Sequence, residues 1–245
     1  MSVLEHQEVG EDTASQPGAG ERLGRLAVDE LDLLYRCRGQ RRARSTHALD
    51  RFASTSSFWR SYDVQWRFAR EMFVLGERSK KYFGRGIRHG ACAAKLEPDR
   101  VEGHFWLGVN QALHAEQCGG LSGARLVLKA RASLKRAAEI SPSYHGAGPL
   151  RVLARTEHKA PWFLGGNRKR SLILYERALQ LAPSNSVTLL YCAELLLDAG
   201  DTGGAIERLQ QIVDMEIDPD WESENARDKS LAAGLLAEIK TGQTR

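Results

Sequence analysis

Three segment ends, AAKLEPD (93–99), AAEISPS (137–143) and ALQLAPS (178–184), each place an alanine five residues before a proline, and they recur at intervals of 44 and 41 residues. Few folds accommodate such a repeat. The alanine removes bulk where two helices approach, and the proline, lacking an N–H, ends the helix and redirects the chain. A repeat of this length whose ends close a helix predicts stacked antiparallel helical hairpins, each burying its apolar face against the next. The expected fold class is therefore all-α, a solenoid of hairpins with a C-terminal capping helix.

The chain in order fills in this plan. Residues 1–20 combine acids with Pro17, Gly18 and Gly20 and hold too little apolar surface to offset the entropy of ordering, so a disordered head is expected. Residues 21–245 form a single helical-repeat domain. Leu23, Leu26, Ala27, Leu31 and Leu34 mark a first amphipathic helix to about Cys37, followed by an arginine cluster (Arg36, Arg38, Arg41, Arg42, Arg44) expected as a solvated turn. Tyr62, Trp66, Ala69 and Phe73 line the next helix. After Gly76, Ser79 is placed to cap a helix whose buried face is Phe83, Ile87, Ala91 and Ala94. In the following unit Phe105-Trp106-Leu107-Gly108 approaches the first-helix pattern of a tetratricopeptide repeat, and its second helix is expected from about Ala124 to Ile140. Gly119, Gly120 and Gly123 suggest an unusually long connection between the two. SVTLLYCAELLLDAGD is apolar on nearly all sides, which predicts a helix sandwiched between neighbours; its partner carries Ala205, Ile206, Leu209, Ile212 and Val213. A last helix from about Ser223 to Lys240 shows Leu231, Leu235, Leu236 and Ile239 on one side, with Trp221 plugging the final groove.

Composition narrows the function classes. In 245 residues, 35 Lys and Arg face 31 Asp and Glu, a net charge of +4 that gives no argument for nucleic acid. The N-terminus has no apolar leader, so the chain as written reads as cytoplasmic. The four cysteines, Cys37, Cys92, Cys118 and Cys192, are scattered and fit free thiols used as small core residues. No GxSxG, HExxH, Walker or GxGxxG pattern occurs, and the GAG at 146–148 follows no strand. His104 and His114 fall on different faces of one helix, while His145 and His158 bracket another, so neither pair suggests a zinc site. A general acid/base pair such as Glu157 and His145 is the remaining catalytic arrangement, and surface positions are the commoner fate of such residues. We expect no enzyme, no cofactor and no metal.

Specific function is sought in Ser143–Asn167. Gly146 and Gly148 remove side chains where a helix starts, Pro149 suits a first helical turn, and the exposed N–H groups favour an anion. Arg151, Arg155 and His158 share one face, either a basic inner stripe or a solvated outer one. The segment Lys159 to Gly166 is too apolar for an idle loop. Either Trp162 and Phe163 tuck into the interhelical groove, or they line a pocket or form a docking patch.

At these residues the chain resembles a known family. The runs SPSYHGAGPLRVL (141–153) and HKAPWFLGG (158–166), with GHFWLG (103–108), NSVTLLY (185–191) and DPDW (218–221) in order, are similar to the T-component (TatT) family of tripartite ATP-independent periplasmic (TRAP) transporters. The similarity spans roughly residues 60–240. It implies tetratricopeptide-like hairpins and a non-enzymatic role beside a protein partner, a substrate-binding protein. It also implies a channel for hydrophobic small molecules and assembly of protomers as a homo-oligomer, a trimer. Members are typically exported lipoproteins, so a periplasmic location follows if the chain starts elsewhere. The alternative is a cytoplasmic tetratricopeptide-type scaffold that binds a peptide in its concave groove. Candidate ligand- or partner-binding residues are Tyr144, His145, Gly146, Gly148, Arg151, Arg155, Trp162, Phe163, His104 and Trp106.

Overall fold

The computed structural model describes residues 19–38 and 60–242, and every regular element among them is helical. Helix α1 (Ala19–Arg36) comes first. Hairpins follow: α2 (Tyr62–Gly76) with α3 (Tyr82–Leu96), α4 (Val101–Cys118) with α5 (Gly120–Ile140), α6 (Tyr144–Lys159) with α7 (Arg168–Leu181), and α8 (Ser186–Asp198) with α9 (Thr202–Asp214). Helix α10 (Glu222–Lys240) closes the stack. Within each hairpin the two helices pack together, and each first helix also touches the first helix of the next hairpin, α2 on α4, α4 on α6, α6 on α8 and α8 on α10. The first helices therefore form one continuous face, as the repeat predicted.

The repeated alanines do what their position implies. Ala93, Ala137 and Ala178 are fully buried, and close approach across the hairpins is enforced by glycine as well: a Cβ on Gly103 would lie 2.7 Å from the Ala94 nitrogen. Five apolar clusters make up the core among the described residues, three of them large. Ala27 and Leu31 of α1 pack on Val64, Phe68, Met72 and Leu75 of α2; Trp66, Phe105, Trp106 and Leu134 centre the middle; α8, α9 and α10 share Leu189, Leu190, Ala193, Leu209, Ile212 and Leu236. Helix α8 is the sandwiched one, with Leu189, Leu190, Cys192, Ala193 and Leu195 all buried.

Several expectations change. The connection after α4 is a single residue, Gly119, because Gly119 and Gly120 both take positive φ (56° and 49°) and turn the chain at once. The glycines make a tight turn, and the long period comes from helices of 18 and 21 residues. Ser79 is not a helix cap: α3 starts at Tyr82, whose N–H bonds the Ser79 carbonyl. Leu231 is exposed, and α10 instead buries the polar pair Asn225 and Asp228, which meet Ser186 of α8. Of the expected head, residues 1–18 lie outside the described residues, and α1 begins inside that segment, at Ala19. Arg41, Arg42 and Arg44 also lie outside them, whereas Arg38 is not a solvated turn residue but is bound to Glu224 at 2.8 Å.

Candidate functional site

Helix α6 opens with a left-handed turn. His145, Gly146 and Ala147 have φ of 54°, 61° and 57°, so regular helix begins only at Gly148 and Pro149. Two of these residues carry a Cβ, and left-handed backbone costs such residues about 1–2 kcal/mol each, so the turn must be held from outside. Arg151, itself buried, holds it. Its Nη1 donates to the Gly146 carbonyl at 2.7 Å and to Asn185 Oδ1 at 3.3 Å, and Nη2 reaches the His145 carbonyl at 3.5 Å. Burial pushes the Arg151 pKa down. Its hydrogen-bond partners are all neutral, so the guanidinium acts as a clamp on carbonyls that the turn leaves unpaired.

The turn swings the His145 ring inward, into a ring of aromatics drawn from three helices and a 3-10 turn. Phe105 and Trp106 of α4, Tyr144 beside it, Tyr35 of α1 and Trp221 of the turn Pro219–Trp221 lie with centroids 4.9 to 6.1 Å from the imidazole. His145 Nε2 and the Tyr35 hydroxyl are hydrogen-bonded at 2.7 Å, while the buried Nδ1 has no partner among the described residues. Burial first, then the charges of Arg151, Arg38 and Arg70, push His145 down to about 3, so the imidazole is neutral near pH 7. Burial likewise raises Tyr35 to about 12. Trp106 donates to the Tyr144 hydroxyl at 3.2 Å. Trp221 thus reaches back to His145 rather than plugging the last groove.

Tyr35 belongs to a helix laid across the face of first helices. Arg70 of α2 donates to the Leu31 carbonyl and to Asp32, Arg67 also binds Asp32, and Arg38 pairs with Glu224 and bonds the Asp220 carbonyl. Arg38 and Arg70 both lie against the Tyr35 ring, at 4.5 and 4.1 Å from its centroid. Glu71, beside Arg70, is raised to about 7 by burial. Helix α1 is fixed to α2, α4, α6 and α10 by side chains that lie far apart in sequence.

The glycines are close-approach positions and do not form an anion cradle. A Cβ at Gly148 would sit 2.7 Å from Phe105 and one at Gly146 2.9 Å from Asn185. The helix start is packed, and the charge it meets is the cation Arg151. The basic stripe faces inward: Arg151 and His158 are buried, and Arg155 is half-buried against Glu194 and the Tyr191 ring of α8. His158 bonds Asp198, also of α8, at 2.8 Å. Glu157 lies at the other end of α6 from His145, about three turns away and bound by Arg131 at 2.8 Å and Arg170 at 2.9 Å, so the two form no acid/base pair. His104 bonds the Pro98 carbonyl at the α3–α4 turn and is not part of the cluster. Among the described residues no group of three or more His, Cys, Asp or Glu side chains is placed to hold a metal.

The aromatics after α6 do not tuck in. Trp162 and Phe163 form a 3-10 turn (Trp162–Leu164) and are 84% and 68% exposed, touching one another edge-on at 5.9 Å. The backbone beneath them is tightly held. The Pro161 carbonyl accepts from Leu164 and Gly166, Gly165 is left-handed with φ 79°, and a Cβ on Gly166 would meet the Ala160 carbonyl at 1.8 Å. Arg131 of α5 donates to the Leu164 carbonyl and Arg170 to that of Gly165, with Glu157 bridging the two guanidiniums. Sequence reasoning misses Tyr35, Arg38 and Trp221 as site residues, because nothing local in sequence marks contacts made across more than 70 residues.

Comparison with known proteins accords with this architecture. No curated protein matches the chain. A solved structure, a thermophilic TPR protein of Thermus thermophilus, superposes with a TM-score of 0.55 at 18% identity, covering 85% of this chain and 96% of its own. That likeness shows the fold. The model of the TRAP transporter T-component family matches residues 80–240, which takes in the left-handed turn, its arginine clamp and the Trp162 loop, and the chain belongs to that family.

Proposed function

We propose that this chain is a non-catalytic binding component of a TRAP-type transport system and that it docks the system's substrate-binding protein on the face formed by its first helices. One observation carries the reading: that face already receives a helix. Helix α1 rests on it through an apolar stripe (Ala27, Leu31), a carboxylate (Asp32) between two arginines, a ring (Tyr35) in the aromatic chamber and an arginine (Arg38) on Glu224. Recognition of a helix by an inner repeat face uses these same contacts. Next to it, between α6 and α8, a partly exposed strip of Arg155, Tyr191, Glu194, Lys159 and Asp198 remains for a partner. The TRAP substrate-binding protein of the same organism, titrated into the full chain, is expected to bind saturably and about tenfold more weakly to Tyr191→Ala/Glu194→Ala. Absence of association, or equal affinity of the variant, contradicts the reading.

A second reading is favoured by the chamber itself. Tyr35 packs edge-on against Trp106 and is hydrogen-bonded to His145, whose ring in turn meets Phe105, Tyr144 and Trp221, so an apolar ligand that displaces Tyr35 meets an indole and a neutral imidazole at the edge of this aromatic cluster. Fatty acids are then expected to raise the melting temperature of Tyr35→Ala more than that of wild type. No shift in either protein removes this reading.

A further inference from the structure

Charge is unevenly spread over the hairpins. Residues 119–138, most of α5, carry five basic side chains (Arg125, Lys129, Arg131, Lys135, Arg136) and no acid; residues 159–175, the Trp162 loop and the first half of α7, carry four (Lys159, Arg168, Lys169, Arg170) and no acid. Nine basic side chains thus fall on two segments of a chain whose net charge is +4, and four of them, Arg131, Arg136, Lys159 and Arg170, pair with acids outside these segments. The segments meet where Arg131 grips the Trp162 loop. Glu157, beneath the loop, is buried and bound by Arg131 and Arg170, and Asp198 at the rim is met by Lys159 and His158.

Apolar side chains stand among these charges with no cover from the described residues. Along α5 the positions Leu121, Arg125 and Leu128 follow one another at steps of four and three, so they share one solvent-facing stripe with Lys129 beside it. Ile173 is exposed on α7, and Trp162 and Phe163 project from the rigid turn between the helices. The hydrogen-bonded clamp of Arg131, Arg170, Pro161 and Asn167 fixes the turn while leaving both rings in water, so presenting them to a partner needs no further ordering.

We propose that the Trp162–Phe163 turn and the basic, leucine-bearing faces of α5 and α7 form a docking surface for an anionic lipid bilayer. Trp and Phe at a projecting tip, ringed by Lys and Arg, match the two requirements of interfacial binding: aromatic rings that settle at headgroup depth and cations that meet the negative surface. Along α5 the exposed leucines alternate with Arg125 and Lys129, unlike the charge-depleted core of a protein interface. Two hollows of the surface, lined by residues of α7, α8 and α9 and of the α7–α8 turn, lie away from the Trp162 turn. Face-to-face pairing with a second copy brings like charge against like. The proposal rests on the second helices α5 and α7 and shares with the strip offered to a substrate-binding protein only Lys159, at the rim beside Asp198.

The test is co-sedimentation of the full chain with phosphatidylcholine vesicles, with and without phosphatidylglycerol. Wild type is expected to bind the anionic vesicles, to leave pure phosphatidylcholine largely unbound, and to lose binding as salt is raised. Trp162→Ser/Phe163→Ser is expected to weaken binding about tenfold or more, and Lys129→Gln/Lys169→Gln to weaken it about 25-fold at low salt, about fivefold per charge removed. Both pairs are exposed, and circular dichroism should show unaltered helix content. Brominated lipid should quench wild-type tryptophan fluorescence and spare the Trp162→Ser/Phe163→Ser protein. Failure of wild type to bind anionic vesicles, or unchanged binding of the aromatic variant, overturns the proposal. So does an acidic protein that needs Trp162 while vesicles do not compete, or a loss of self-association in the aromatic variant with vesicle binding intact.

Discussion

The two ends of one helix, α6, place similar residues to opposite effect. At its start, His145 and its neighbours turn inward: the left-handed turn delivers an imidazole among five aromatic rings, and Arg151 grips the carbonyls behind it. At its end, Trp162 and Phe163 turn outward although Arg131 and Arg170 grip the carbonyls behind them in the same manner. In both places arginine stabilises an irregular backbone by donating to carbonyls that the turn leaves unpaired. The difference lies in what covers the rings. Helix α1 and Trp221 cover the first set, and nothing among the described residues covers the second. A glycine-rich aromatic motif therefore marks a held turn in both cases, and only the packing decides whether it is a keystone or a contact surface.

Substitutions that break this contrast should differ sharply in cost. Arg151→Met is expected to be the most damaging, losing about 3 kcal/mol of unfolding free energy in urea, because buried carbonyls and Asn185 lose their donor while the strained turn remains. A loss below about 1 kcal/mol would mean that the turn holds itself. Acidification comes next. His145 and His89 are pushed down by burial to about 3 and about 4, so the unfolded chain binds protons that the folded chain refuses, and their contribution fades as pH falls below about 6.5. Glu71, raised to about 7 by burial, runs the other way, since the folded state holds its proton longer than the unfolded one and gains stability as pH falls. The two histidines outweigh the one acid, and urea midpoints at pH 7 and pH 5 should show a net loss on the order of 2 kcal/mol. Glu71→Gln should enlarge that loss. A stability that does not change over this interval would mean that His145 and His89 are solvated.

Smaller effects are expected at Ala147 and at the exposed rings. Ala147 is buried at φ 57°, so Ala147→Gly should stabilise the chain by about 0.5–1 kcal/mol in thermal or urea unfolding, despite glycine's usual cost in a helix. Destabilisation there would place Ala147 in ordinary right-handed helix. At the outward end, Trp162→Ser/Phe163→Ser should leave the unfolding free energy within about 0.5 kcal/mol of wild type. A loss of several kcal/mol, such as Phe105 or Trp106 would give, would mean that the rings are packed in solution.

Much of the fold was legible because it rests on local rules. The Ala-to-Pro spacing marked three helix ends, and Ala93, Ala137 and Ala178 are indeed fully buried. Phe105, Trp106 and Gly108 fell on the inner side of α4, as their pattern implied. What escaped depends on backbone states or on distance. Gly119 and Gly120 look like loop formers, yet two successive positive-φ residues make the shortest connection in the stack. The site was half legible: Gly146 and Gly148 signalled close approach correctly, but no periodicity shows that His145 and Ala147 adopt left-handed backbone or that Tyr35, 110 positions away, bonds His145. The exposure of Trp162 was least accessible, since apolar composition argues for burial and only the Arg131–Glu157–Arg170 clamp, built from three helices, holds the rings out.

Hydrogen exchange on the full chain, with and without the TRAP substrate-binding protein, shows whether the face of first helices carries the partner while the Trp162 turn serves another surface. Added partner is predicted to slow amide exchange in α6 and α8, around residues 151–159 and 187–198, and to leave 160–166 unchanged. Protection confined to 160–166, or none on α6 and α8, would contradict it.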